Sequence, residues 1–127
     1  MKPLNILIVD DSATMRQFVR RAVQLSDVPV GVVHEAANGR EALAVMDAHD
    51  VDALFTDINM PVMSGAELLR ELARQGRETP ARIVVSTDGS EARRRELQGL
   101  ARWYVNKPVR PEVVRDVLSE LANALAS

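Results

Sequence analysis

Short apolar runs and helix-like patterns take turns along the whole chain. Ile6-Leu7-Ile8-Val9 is an unbroken apolar run, the pattern of a strand buried on both faces. Met15, Phe18, Val19, Ala22 and Val23 follow at helical spacing and predict a helix from Ala13 to about Gln24. Val30 to His34 reads as a second strand. Asn38 followed by Glu41 has capping-box spacing and opens a helix to about Ala48. Ala53-Leu54-Phe55-Thr56 predicts a third strand, and Ser64 with Glu67 starts a helix to about Arg74. Ile83-Val84-Val85-Ser86 is a fourth strand; Asp88 with Glu91, or Ser90 alone, opens a helix to about Leu100. Trp103-Tyr104-Val105 is a fifth strand, and Pro111 at a first helical position starts a last helix to about Leu125.

Strands that alternate with helices in so short a chain predict an α/β fold with a doubly wound, five-stranded parallel sheet and five helices, covered on both faces. Right-handed crossovers leave few arrangements. Ligands of such open sheets bind at the carboxyl ends of the strands, where the strand order reverses. The residues just past each strand therefore matter most. They are Asp10 and Asp11 after the first strand, Asp57 after the third, Ser86 and Thr87 at the end of the fourth, and Lys107 with Pro108 after the fifth.

Three carboxylates in one crevice repel one another, and one nearby lysine offsets them only in part. An all-oxygen site with surplus negative charge suits a hard divalent cation such as Mg²⁺. A carboxylate can also act as a nucleophile that accepts a phosphoryl group, with the metal and an ammonium neutralising the transferring charge. Each residue alone has a plainer reading: Asp11 as the cap of the first helix, Ser86 as a strand-end hydroxyl bonded to backbone, Lys107 as a solvated lysine. The joint pattern is harder to dismiss. The chain has 14 arginines and two lysines, Lys2 and Lys107, so a sequence that otherwise uses Arg keeps the compact ammonium at this position.

Composition narrows the chemistry. The 127 residues make one domain, with 46% hydrophobic and 27% charged residues as in ordinary globular proteins. Size scaling gives a folded surface of about 6,700 Å². There is no Cys, which excludes disulfides, thiolate metal sites and Cys nucleophiles; His34 and His49 are the only imidazoles. No apolar run reaches membrane-spanning length and no signal peptide opens the chain, so a soluble cytoplasmic protein is expected. The net charge of −2 argues for neither nucleic acid nor membrane as the main partner. Its distribution is uneven: residues 1–60 carry a net −4 and residues 91–115 a net +4.

Taken together, Val9-Asp10-Asp11-Ser12, Thr56-Asp57-Ile58-Asn59-Met60-Pro61 with Gly65, Ser86-Thr87, and Tyr104-Val105-Asn106-Lys107-Pro108 resemble a response-regulator receiver domain. The resemblance spans essentially the whole chain. The run Asp11-Ser12-Ala13-Thr14-Met15-Arg16 is most similar to the single-domain chemotaxis (CheY-like) type. It implies a flavodoxin-like sheet of strand order 2-1-3-4-5, which spacing alone does not show. It also implies that Asp57 accepts a phosphoryl group from a sensor histidine kinase or a histidine phosphotransfer protein. By the same resemblance, Asp11 and Asp57 would bind Mg²⁺ through carboxylates and Asn59 through its backbone carbonyl, and Asp10 would shape the acidic pocket through a metal-bound water. Lys107, beside a cis bond to Pro108, contacts the phosphoryl oxygens, with Pro61, Gly65 and Pro108 at turns. Ser86 and Tyr104 form the switch that remodels the surface of the fourth helix, fifth strand and fifth helix for an output protein. Asn59 and Asp88 flank the path of the hydrolytic water, which implies a short-lived phosphoryl state. The resemblance implies a protein that modifies and slowly dephosphorylates itself and is not otherwise an enzyme; a monomer is expected.

The chain departs from the family at several positions. Ser86 stands where Thr is commoner, and Thr87 where Ala is usual, so either could be the switch hydroxyl; Ser86, directly after the apolar run, is favoured. The stretch from Ser86 to Lys107 is about one residue short, and Leu100 replaces a usual Gly. These changes fall on the output side, so the partner does not carry over.

Other features read as structure. Arg93-Arg94-Arg95 on a helix point about 100° apart and form no single basic stripe. A basic docking surface for an acidic protein is the sharper reading of the same run. His34 is expected to pack, His49 to sit at a helix C-terminus, Met60 and Met63 to pack in a loop, and Trp103 and Tyr104 to face opposite sides. The chain ends about two residues after its last helix, so no attached output domain is expected. Two other functions compete. An Asp-nucleophile phosphohydrolase expects an acid where Ser12 stands, and a flavin binder expects a hydroxyl-rich loop where the paired carboxylates lie. A phosphate sink in a phosphorelay is a further alternative. No GxxxxGK[ST], GxGxxG or GxSxG motif is present.

Overall fold

A computed structural model describes residues 2–87 and 89–126; Asp88, expected at a helix start and on a water path, lies outside them. The elements in chain order are β1 (Leu4–Val9), α1 (Ala13–Gln24), β2 (Val30–Ala36), α2 (Gly39–Ala48), β3 (Ala53–Thr56), α3 (Gly65–Arg74), β4 (Ala81–Ser86), α4 (Glu91–Glu96), β5 (Trp103–Asn106) and α5 (Pro111–Ala126). All strand pairs are parallel and the sheet order is β2-β1-β3-β4-β5, the order the resemblance implies. The accessible surface of 6802 Å² is close to the scaling value.

Alternation along the strands sorts the core into two faces. Ile6, Ile8, Phe55, Ile83, Val85 and Val105 point to the side covered by α1 and α5, where Val19, Val23, Val114 and Leu118 meet them. Leu7, Val9 and Leu54 point to the other side and pack on Ala42, Met46, Leu68 and Leu72 of α2 and α3. Under α4, Val84 joins a smaller cluster with Ile58, Ala66, Leu69 and Leu97. Both faces of the central strands are thus dry, as their unbroken apolar runs require. Trp103 packs with the first cluster and Tyr104 with the third, on opposite faces as expected.

Helix starts follow their caps. Ser12 Oγ accepts from Met15 N–H, Ser64 and Glu67 complete a reciprocal box, and Ser90 Oγ accepts from Arg93 N–H. Asn38 caps α2, but Glu41 reaches back to Ala37 N–H and Asn38 Nδ2, not to the Asn38 backbone, so that box is incomplete. The fourth helix is a turn shorter than its sequence predicts. It stops at Glu96 because Leu97 turns into the core and is fully buried, and Gly99 then takes φ +80°. None of the six residues of α4 is buried. Among the described residues no helix is long and apolar enough to cross a membrane.

Ser12, not Asp11, caps α1. Ser12→Ala is therefore expected to lose about 1 kcal/mol of stability in urea unfolding, and Asp11→Ala less than about 0.5 kcal/mol. An equal loss in the two variants would return Asp11 to a capping role.

Candidate functional site

Register decides which strand-end residues meet. Val9 is level with Thr56 in the β1–β3 pair, so Asp10 and Asp57 leave the sheet side by side. The ladder runs one residue past each strand: Asp10 N–H donates to Ala36 O at 3.1 Å, Asp57 N–H to Val9 O at 2.9 Å, and Lys107 N–H to Ser86 O at 2.9 Å. These bonds fix the Cα positions of the acids and the lysine on the rigid sheet, not on a free loop.

The carboxylates of Asp10, Asp11 and Asp57 offer oxygens that all lie within 4.8 Å of one another. Asp10 is buried, Asp57 half-buried and Asp11 exposed, so the cluster opens to solvent on the Asp11 side. Lys107 Nζ is 3.2 Å from Asp10 Oδ2 and 3.6 Å from Asp57 Oδ2. Asp10 Oδ1 accepts from Ser12 N–H at 2.9 Å, and Asp57 Oδ1 from Ile58 N–H at 2.8 Å. Burial raises the Asp57 carboxyl above its ordinary pKa; the Ile58 N–H and Lys107 pull it down, and Asp10 and Asp11 push it further up. Clustered carboxylate oxygens with a single ammonium between two of them are a donor set that fits Mg²⁺. The Asn59 carbonyl accepts no backbone hydrogen bond among the described residues and remains available as a further oxygen.

The surroundings hold Asp57 tightly. Gly65, the first residue of α3, donates its N–H to Ile58 O at 2.7 Å. A Cβ at Gly65 would lie 1.9 Å from the Asp57 carbonyl oxygen, so only glycine lets α3 begin against this loop. Pro61 is exposed on the same loop, and Met60 and Met63 pack on the α2–α3 cluster as expected. The Lys107–Pro108 bond is cis, as the resemblance implies.

The remaining candidates sit further along the sheet edge. Ser86 is buried at the end of β4, whereas Thr87 is exposed. Tyr104 donates its hydroxyl to Leu97 O at 3.1 Å, and Arg94 lies 5.5 Å from its ring centre. Of the neighbouring arginines, Arg93 pairs with Glu96 and Arg95 with Glu91. His34 packs as expected, stacked on His49 with ring centres 4.5 Å apart; burial, then the neighbouring His49, hold it below its usual pKa.

Three features escaped the sequence. Arg16 Nη1 donates to the Asp10 carbonyl at 2.7 Å, and Thr56 Oγ1 donates to the Asp57 carbonyl at 2.8 Å. Val62, five residues after Asp57, is exposed with φ +69°, an uncommon backbone for a β-branched residue. The one available clue for Arg16 is that helical side chains lean toward the N-terminus, so a long one in the second turn reaches back to the strand end.

Residues 6–119 match the family model described as the response regulator receiver domain. Chemotaxis protein CheY1 of Helicobacter pylori is 35% identical over 119 residues, which cover 91% of this chain and 94% of that protein. A chemotaxis protein CheY homolog of Campylobacter jejuni is 34% identical over 121 residues, covering 93% of this chain and 92% of the relative. Among solved structures, the chemotaxis response regulator CheY4 of Vibrio cholerae matches with a TM-score of 0.82 at 31% identity, over 94% of this chain and 99% of that one.

The geometry sets two expectations. Gly65→Ala should destabilise by about 2–3 kcal/mol in chemical unfolding, because the new methyl meets backbone and not a movable side chain. A loss below about 0.5 kcal/mol would show that the α3 start can shift. For Asp57, a raised folded pKa means that ionisation is costlier in the folded state than in the unfolded one. Stability is therefore lost as pH climbs from the ordinary carboxylate range through the raised value. In metal-free buffer at pH 7, Asp57→Asn should melt a few degrees higher than the wild type, roughly 2–5 °C for a domain of this size. The gap should close below about pH 3, where both side chains are neutral. Equal melting temperatures at pH 7 would refute the assignment.

Proposed function

The chain belongs to the response regulator receiver domain family, and from that membership we infer that Asp57 is its phosphoacceptor in two-component signalling. The observation that carries this reading is the cluster itself: Asp10, Asp11 and Asp57 oxygens within 4.8 Å of one another, with Lys107 reaching both Asp10 and Asp57. A carboxylate oxygen of Asp57 attacks phosphorus, the bond from phosphorus to the donor histidine nitrogen breaks, and that nitrogen keeps the electron pair. Lys107, already 3.6 Å from Asp57, holds the transferred oxygens by charge. Asp11 and Asp57 would hold Mg²⁺ through their carboxylates and Asn59 through its carbonyl, with Asp10 shaping the acidic pocket; bound there, the ion would supply the positive charge the three acids lack. The protein acts on itself and turns over no separate substrate.

The output side of the reading rests on Ser86, Tyr104 and the surface of α4, β5 and α5. A phosphoryl group on Asp57 draws the Ser86 hydroxyl, and Tyr104 gives up the Leu97 carbonyl and turns inward. An output protein recognises the altered surface. Chemotaxis is the pathway we favour, since chemotaxis proteins of two organisms match almost end to end. The donor is a sensor histidine kinase or a histidine phosphotransfer protein, and the place is the cytoplasm. The phosphohydrolase alternative loses ground at Ser12, whose hydroxyl is engaged in capping α1.

Incubation with acetyl phosphate and Mg²⁺ should add one phosphoryl group, read as +80 Da by intact mass on the basis of one HPO₃ per chain. Chelation of Mg²⁺ or Asp57→Ala should abolish it. Labelling that survives Asp57→Ala unchanged overturns the acceptor assignment.

A further inference from the structure

Beyond the acids and the lysine lies a chain of contacts that reaches the cluster from its far side. Glu35, on the edge strand β2, binds two arginines one helical turn apart on α1. Its Oε1 accepts from Arg16 Nε at 2.9 Å, and its Oε2 accepts from Arg20 Nη2 at 2.8 Å and Nε at 3.1 Å. The arginines differ in where their remaining donors go. Arg20 Nη2 also donates to Val33 O at 3.2 Å, within β2 and away from the acids. Arg16 Nη1 donates to Asp10 O at 2.7 Å. That carbonyl belongs to the peptide group joining Asp10 to Asp11.

We propose that Arg16 is a positioning residue for the acidic cluster: gripped by Glu35, it fixes the Asp10–Asp11 peptide and thereby the place from which Asp11 presents its carboxylate. The inference rests on the Mg²⁺ reading above. Asp10 is already restrained by the sheet, by Ser12 N–H and by Lys107. Asp11 is exposed and forms no ion pair among the described residues, so its orientation depends on the backbone that carries it. Rotation of the Asp10–Asp11 peptide would swing Asp11 away from Asp57, and the Arg16 bond opposes that rotation. Arg16 is less exposed than Arg20, 19% against 33%, in keeping with a side chain held at both ends.

The sign of the effect separates positioning from charge. Arg16 is a cation near three acids, so its removal on electrostatic grounds alone should tighten binding of a second cation. Positioning predicts the reverse, because loss of a partner that orients a ligand typically weakens metal affinity by about 10-fold or more. Arg20 serves as the internal control: it shares Glu35 and carries the same charge but does not touch Asp10.

The test is calorimetric titration of the folded full chain with MgCl₂ alone, for wild type, Arg16→Met, Arg16→Lys, Arg20→Met and Glu35→Gln. Arg16→Met should raise the Mg²⁺ Kd about 5- to 10-fold, Arg16→Lys should recover part of the loss through its single donor, and Arg20→Met should change Kd less than about 2-fold. Glu35→Gln, which leaves Arg16 in place but loosens its grip, should fall between Arg16→Met and wild type. In acetyl phosphate labelling, Arg16→Met should raise the Mg²⁺ concentration for half-maximal rate and spare the rate at saturation. Unchanged or tighter Mg²⁺ binding by Arg16→Met, or equal weakening by Arg20→Met, overturns the proposal. If Arg16→Met does not fold, Glu35→Gln binding Mg²⁺ like wild type overturns it. A wild type that binds no Mg²⁺ is a different result: it removes the metal reading itself, and the proposal falls with it.

Discussion

Repulsion among three carboxylates gathered at one edge of a parallel sheet is the constraint around which the molecule is organised. Left in water the acids would separate. Here the hydrogen-bond ladder of β1 and β3 continues through Asp10 and Asp57 and denies them that freedom. The dry strands beneath, with Ile8, Val9, Phe55 and Leu54 almost wholly buried, supply the stability that offsets the crowding. Lys107 relieves part of it by lying between Asp10 and Asp57. The remainder is a standing preference for positive charge, which suits a hard divalent cation.

Around this cluster the structure removes slack from one side at a time. Gly65 lets α3 start against the Asp57 carbonyl, Ser12 starts α1 two residues after Asp10 and bonds its carboxylate, and the Ser86 carbonyl receives the Lys107 amide. Each restraint comes from a different strand end, which is why a chain of modest size holds four distant segments in register. Backbone groups do most of the holding.

The strand cores and the acids were legible in the sequence because burial on both faces leaves unbroken apolar runs and because charged residues stand out where such runs stop. The ends of β2 and α4 were not. β2 runs on to Ala36 through Glu35, whose polar side chain interrupts the apolar pattern while its backbone stays in the ladder. α4 carries no large apolar residue, so no periodicity marks its end, and the inward turn of Leu97 depends on a pocket built from Ile58, Ala66, Leu69 and Val84. Contacts to backbone oxygens left even less trace. Arg16 on the Asp10 carbonyl and Thr56 on the Asp57 carbonyl are invisible in residue identities, because every residue carries the same acceptor.

The brevity of α4 bears on how cheaply the protein can respond. Six solvent-facing residues, anchored at one end by a serine cap and at the other by Leu97, form the segment with least to lose if it moves. Opening that keeps Leu97 in its pocket leaves both dry faces of the sheet untouched, so the free energy of such a motion belongs to the low end of the molecule's local stabilities. Movement confined to this stretch would leave the scaffold that gathers the acids in place.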